Sequence, residues 1–264
     1  MPQSSAFVIK KMNLEDLPLN KNVRVLASHE CGIFALEKPA GTMTHPNAPG
    51  VAAAKRAMLV ADYSLNQECY CVRVPGQNLK KIYVLNRLDS PTSGVVLCAT
   101  NELVAGLVRR AFKNDEVQKI YYAVVCGNAP TKAFWRDELI REKTRPGAPL
   151  KVVVAPRKGM RNTQTALCEM RRVRGNANVA LIKLLPHTGR THQLRVQCAS
   201  RLLPIVGDET YGVSPKFPQT LRPRLFLHAA ETIVKFKING VPVEFSASSP
   251  LPPEFEIATD FLMQ

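Results

Sequence analysis

The alternation of apolar and polar positions divides the chain into short strand-like runs with a few helical stretches between them. Residues 23–28 and 33–36 are two β-rich runs around a Glu30-Cys31-Gly32 turn. Residues 52–60 place Ala53, Ala57 and Val60 at helical spacing, which predicts a helix. Residues 62–80 give no clear pattern. Residues 82–85 and 95–98 are strands joined by a polar loop, Asn86-Arg87-Leu88-Asp89-Ser90-Pro91-Thr92-Ser93-Gly94. Residues 101–112 are amphipathic: Leu103, Leu107 and Ala111 run beside Val104, Val108 and Phe112, with Thr100 or Asn101 as N-cap.

The second half continues in the same manner. Residues 119–127 alternate, with Tyr121, Ala123 and Val125 on one face and Tyr122 and Val124 on the other. Residues 163–173 and 179–185 flank a turn at 174–178 and predict a hairpin. A Pro186-His187-Thr188-Gly189-Arg190 loop then opens a helix over 191–203, with Leu194, Cys198 and Leu202 on one face and Pro204 closing it. Strands over 225–236 and 240–245 and a helix over 254–262 complete the chain. Many strands and few helices, unevenly spaced, predict an α+β fold: a mixed, largely antiparallel sheet with flanking helices. No internal repeat or interdomain linker is visible. The expected organisation is an N-terminal arm over 1–22 and a single domain over 23–264.

Composition narrows the class. Hydrophobic residues make up 45% of the 264, enough for a sizeable core. No apolar run approaches the roughly 20 residues that span a bilayer. The seven cysteines are odd in number and lie mostly inside apolar runs, so free thiols in a reducing compartment are expected, not a metal site. The net charge of +15 points to a polyanionic partner, and nucleic acid is favoured over membrane because no basic amphipathic helix stands out. Residues 132–174 hold twelve Lys/Arg against four Asp/Glu, about half of the surplus. No helix-turn-helix or zinc pattern suggests DNA.

Chemistry concentrates in the 86–94 loop. Alone, its Arg87-Leu88-Asp89 would more often be a solvated turn capped by Asp89. Other stretches change that weighting. Arg87-Leu88-Asp89-x-x-Thr92-Ser93-Gly94, then Lys119-x-Tyr121-x-Ala123-x-Val125, then Thr188-Gly189-Arg190-Thr191-His192-Gln193-Leu194-Arg195-Val196 resemble, in order, the motifs of the RluA-type pseudouridine synthases. So do Val206-Gly207-Asp208 with Tyr211-Gly212, and more weakly Glu37-Lys38-Pro39-Ala40-Gly41 with His45-Pro46, and Leu227-His228-Ala229.

The resemblance implies the pseudouridine synthase catalytic fold and an isomerase that detaches the base of a uridine and rejoins it through carbon. It assigns Asp89 as the catalytic carboxylate, Arg195 as its counter-ion and Tyr121 as the active-site tyrosine, with Tyr122 the competing candidate. By the same resemblance Arg87 fills the space of a flipped uridine or holds its phosphate, and Leu88 and Leu194 wall the base pocket. Arg190 and His192 either orient the loop or contact phosphate, with a structural role as open an alternative. The basic 132–174 region, with Arg171, Arg172 and Arg174, is the expected grip on ribosomal or transfer RNA. No metal and no organic cofactor is implied.

Asn86 and Gln197 stand where many members carry histidine, and Ser90-Pro91 replaces a charged pair. These positions flank the chemistry and bear on substrate preference. The chain is expected to lack the S4-type RNA-binding module of larger relatives. A monomer in the cytoplasm, or in an organelle of a eukaryote, is expected. The rival reading is a non-catalytic RNA-binding or ribosome-assembly factor on the same scaffold. Retention of Asp89, Tyr121 and Arg195 together separates the two, since a binding protein needs none of them.

Overall fold

Backbone pairing gathers the strand-like runs into one mixed sheet. The computed structural model describes residues 14–46, 51–73, 78–142, 150–157, 159–212, 215 and 224–264. In chain order the strands are β1 (Arg24–Ser28), β2 (Ile33–Lys38), β3 (Asp62–Ser64), β4 (Cys69–Val72), β5 (Lys80–Val84), β6 (Ser93–Ala99), β7 (Gln118–Cys126), β8 (Lys132–Arg141), β9 (Val152–Val154), β10 (Gln164–Gly175), β11 (Val179–Pro186), β12 (Leu227–Ile238) and β13 (Val241–Ser248). The helices are α1 (Val51–Ala54), α2 (Glu102–Lys113), α3 (Gln193–Ala199) and α4 (Pro253–Met263).

The sheet runs β3-β4-β5-β6-β12-β7-β11-β10-β8-β9, with β2 also pairing β6, β1 pairing β2, and β13 pairing β12. Every described ladder is antiparallel except β6 with β12, where Ser93 faces His228 and Gly94 faces Ala229. This short parallel contact joins two half-sheets. Gly94, at φ +117°, is required there, because a Cβ would collide with the Ala229 backbone.

Burial explains the sequence pattern. All seven residues of β6 are buried, so it reads as a continuous apolar run. Its Val95, Leu97 and Ala99 meet Val104, Val108 and Ala111 of α2, whose N-cap is Asn101 accepting from the Val104 amide at 2.9 Å. Val96 and Cys98 face the other way, onto Phe34, Met58 and Tyr70. In the second half-sheet α3 covers β7, β10 and β11 through Leu194 and Cys198, while Phe255 and Ala258 of α4 cover the opposite face.

Three expectations give way. The helix over 52–60 stops at Ala54, and the Lys55 and Ala57 carbonyls turn instead to the Asn20 amide. The helix over 191–203 is shorter, because His192 and Leu202 both adopt positive φ (54° and 58°) and Leu202 is exposed. The stretches 62–80 and 132–162, where the pattern assigns no element, contain β3, β4, β8 and β9: β3, β4 and β9 are only three or four residues long, and charged residues interrupt the apolar positions of β8.

Candidate active site

Asp89 sits in the loop between β5 and β6, above the junction of the half-sheets. That loop is held through its backbone. Thr44 Oγ1 donates to the Leu88 carbonyl at 2.9 Å and accepts from the Leu88 amide at 3.1 Å. The Gly41 amide donates to the Ser90 carbonyl at 2.8 Å. Lys38, fully buried, donates through Nζ to the carbonyls of Pro39, Thr42 and Ser90 at 3.1, 2.6 and 2.9 Å. An ammonium has three donors, and all three are used. Burial pushes the Lys38 ammonium down to about 7 against the pull of nearby Asp89.

Arg195 reaches Asp89 from α3. Its Nη1 donates to Asp89 Oδ2 at 3.2 Å. Its stronger partner is Asp208: Nε donates to Oδ2 at 2.7 Å and Nη2 to Oδ1 at 2.8 Å, a two-point pairing. The Asp208 side chain is completely buried and also accepts from the amides of Thr210 and Tyr211. Burial alone would raise the Asp208 pKa, but Arg195 and those amides hold it below the usual carboxylate range. Burial likewise works against the Arg195 charge, and the two carboxylates outweigh it, so the guanidinium pKa is raised. Asp208 is the site residue to which the sequence pattern assigned no role. The signal was its place in the Val206-Gly207-Asp208 stretch.

The α3 entrance is held by side chains. Gln193 Oε1 accepts from the Thr188 hydroxyl at 2.8 Å and the Arg190 amide at 3.0 Å, and its Nε2 donates to the Leu167 carbonyl. Thr188 and Gln193 are both buried, so these bonds replace water in fixing the 187–193 loop.

Tyr121 projects from β7 onto the same side as Leu184 of β11. It lines, with Asp89, Arg195, Leu88 and Leu194, a pocket of about 110 Å³. Burial, and then the Asp89 charge, push its phenol above the ordinary tyrosine value, so the hydroxyl stays protonated. Tyr122 points to the opposite face, against the cluster around Phe226 and Phe255. Among the described residues no three His, Cys, Asp or Glu side chains converge as a metal site.

The remaining candidates separate. Arg87 is exposed at the mouth of this pocket, which opens into a wider cleft of about 800 Å³. Arg190 lines both and donates through Nε to the Thr165 carbonyl. His192 turns inward, with Nε2 3.9 Å from Asp89 Oδ2. Arg171, Arg172 and Arg174 do not line the pocket or the cleft. They lie four to seven residues along β10 from Leu167, about 13–23 Å at the rise of a strand. Arg174 pairs with Asp260 of α4, and Arg171 with Glu169 at 3.6 Å. Asn86 accepts from the Leu97 amide at 2.7 Å, and Gln197, fully buried, donates to Asp137 at 2.7 Å, so both serve the scaffold.

A carboxylate and its buried arginine thus face a tyrosine across a small pocket at the junction of two half-sheets. The family model described as RNA pseudouridylate synthase matches residues 32–200, which include Asp89, Tyr121 and Arg195. The chain belongs to this family. It is 32% identical over 202 residues to an uncharacterized RNA pseudouridine synthase of Zymomonas mobilis, covering 74% of this chain and 85% of that one. It is 37% identical over 154 residues to the dual-specificity RNA pseudouridine synthase RluA of Vibrio vulnificus, covering 57% and 59%. The chain spans under two thirds of the length of that relative. The fold matches the solved structure of human RNA pseudouridylate synthase domain containing 1, with a TM-score of 0.63, 24% identity and coverage of 89% and 86%.

Proposed function

We propose that the protein isomerises uridine to pseudouridine in ribosomal or transfer RNA, with Asp89 as the catalytic carboxylate. The observation that carries this reading is the Asp89–Arg195 pair at 3.2 Å, facing Tyr121 across the pocket. A pocket of about 110 Å³ suits a single flat base and not a nucleotide pair. A uridine in folded RNA reaches it only after flipping out, at a cost of a few kcal/mol. Arg87 at the mouth lowers that cost by filling the vacated stack or binding the phosphate.

Inside, Asp89 acts on the sugar as nucleophile or base, and Arg195 donates to its carboxylate at 3.2 Å and fixes its direction. Tyr121 stacks on the freed uracil and holds it while its C5 turns towards the sugar. Leu88 and Leu194 exclude water during that interval. Rejoining through C5 releases the hydrogen that C5 carried. The wider cleft supplies the RNA grip: Arg87, Arg109, Lys113, Lys119, Arg141 and Arg190 line it against Glu68, Asp89 and Asp115.

A non-catalytic RNA-binding factor is less favoured. It would gain nothing from ordering a buried Asp208–Arg195 pair behind an exposed-edge carboxylate, an arrangement that costs desolvation energy. The test is a pseudouridine map of total RNA from cells lacking the gene. At least one pseudouridine should vanish, return with the wild-type gene, and stay absent with Asp89→Asn. A map unchanged by deletion would overturn the reading.

A further inference from the structure

His192 is the residue whose placement the chemistry above leaves unused. It stands just before α3 with φ 54°, in the left-handed region, and makes no side-chain cap to the helix. Histidine tolerates that region better than most residues, but the conformation still has to be held by its surroundings. Here the holding contact is Tyr211, whose Oη lies 2.9 Å from His192 Nδ1. The rings meet edge to face at 5.6 Å.

Proton counting points to one tautomer. The Val152 amide donates to Tyr211 Oη at 2.7 Å. If the hydroxyl gives its own proton to His192 Nδ1, 2.9 Å away, Tyr211 Oη both accepts and donates, Nδ1 is bare and the ring proton is on Nε2. The reverse tautomer would have Tyr211 Oη accept from both Val152 and His192, leaving its own proton to find another acceptor, and would aim a bare nitrogen lone pair at the Asp89 carboxylate. Nε2 is 3.9 Å from Asp89 Oδ2, the same oxygen that Arg195 Nη1 contacts at 3.2 Å. That is longer than a hydrogen bond, and such contacts tighten when substrate fills the site.

Asp208 organises both donors. It pairs with Arg195, and its Oδ1 accepts the Tyr211 amide at 3.1 Å, while the Arg195 guanidinium lies 5.2 Å from the Tyr211 ring. The charged and titratable groups facing His192 are Asp89, Arg195, Asp208 and Tyr211. Burial lowers its pKa, Asp89 and Asp208 oppose, and Arg195 reinforces; the net shift is down, towards the neutral imidazole.

We infer that His192 is a positioning residue for Asp89: an imidazole, its tautomer set by Tyr211, whose Nε2–H is the second donor orienting the Asp89 carboxylate beside Arg195. The activity arm of its test rests on the pseudouridine synthase reading; the tautomer arm does not.

The full chain is labelled with ¹⁵N-histidine, and the His192 signals are assigned by their loss in His192→Gln. A protonated Nε2 and an acceptor Nδ1 are expected; a protonated Nδ1 overturns the inference. In parallel, single-turnover tritium release is followed from total RNA of gene-deleted cells, labelled at uridine C5. His192→Ala should slow release about 10- to 100-fold at unchanged RNA affinity. His192→Gln, whose amide can occupy the Nε2 position, should recover to within about fivefold of wild type, as a retained donor predicts. Equal losses in both variants, or an alanine variant within about twofold of wild type, also overturn it. Absence of release by the wild-type protein would count against the proposed function, and the nitrogen spectrum would still decide the tautomer.

Discussion

The cleft and the β10–β11 hairpin each carry a cluster of arginines, and the fold uses them differently. At the cleft, Arg87 and Arg190 come from loops on opposite half-sheets and Arg195 from α3, and the three meet around one pocket. At the hairpin, Arg171, Arg172 and Arg174 are neighbours in sequence but part in space. Strand alternation and a register shift between Arg172 and Arg174 separate them, and Arg174 is tied to α4 by Asp260 and the Glu256 carbonyl. Loops can focus charge from distant parts of a chain; a strand disperses charge that lies together in sequence.

The largest expected effect comes from Asp208. Asp208→Asn takes from a buried guanidinium its closer, two-point charge partner and should cost about 3–5 kcal/mol in denaturant unfolding. The pH dependence has a definite sign. The Asp208 pKa is depressed in the folded state, so its contribution is complete above the unfolded value near 4 and fades as pH falls through the folded value. Acid unfolding of the wild type should show that fading, and Asp208→Asn should lack it.

Next is Lys38→Met. Three carbonyls that now receive its N–H groups would lose their donor, at a cost of about 2–4 kcal/mol, and the Ser90 side of the Asp89 loop would be released. A melt unshifted from wild type would show that the loop does not depend on Lys38. Arg87→Ala with Lys113→Ala should leave stability nearly unchanged. It should weaken RNA binding and reduce the slope of log affinity against log salt by about one for each phosphate no longer neutralised. Smallest is Arg174→Ala: under about 1 kcal/mol of stability, because the pair with Asp260 is solvent-exposed, and no change in the salt slope. A slope that falls for Arg174→Ala and not for the cleft pair would reverse the contrast between the two regions.

Much of the fold and site is legible in the residues themselves. The 86–94 loop declares itself through turn residues between two apolar runs, and Tyr121 and Arg195 through spacing that resembles a known family. The central strands of both half-sheets and three of the four helices follow from periodicity, with α3 shortened at its ends. Asp208 is harder to assign, because nothing in a linear pattern shows that a loop carboxylate thirteen residues beyond Arg195 folds back beneath it. Lys38 is hidden for a related reason: a buried lysine is unusual, and only the three converging carbonyls explain it. The strand β8 escapes because charged residues interrupt its apolar positions, and β9 because it is only three valines long within a polar, Pro- and Gly-punctuated stretch.

The central claim is that Asp89 performs the chemistry while the surrounding cleft performs the binding. Rejoining uracil through C5 must release that carbon's hydrogen, so the direct measurement is tritium release from RNA labelled at uridine C5, with RNA affinity measured on the same preparations. The account predicts release by the wild-type protein, none above background by Asp89→Asn, and equal RNA affinity for the two. Release by Asp89→Asn at the wild-type rate would contradict it.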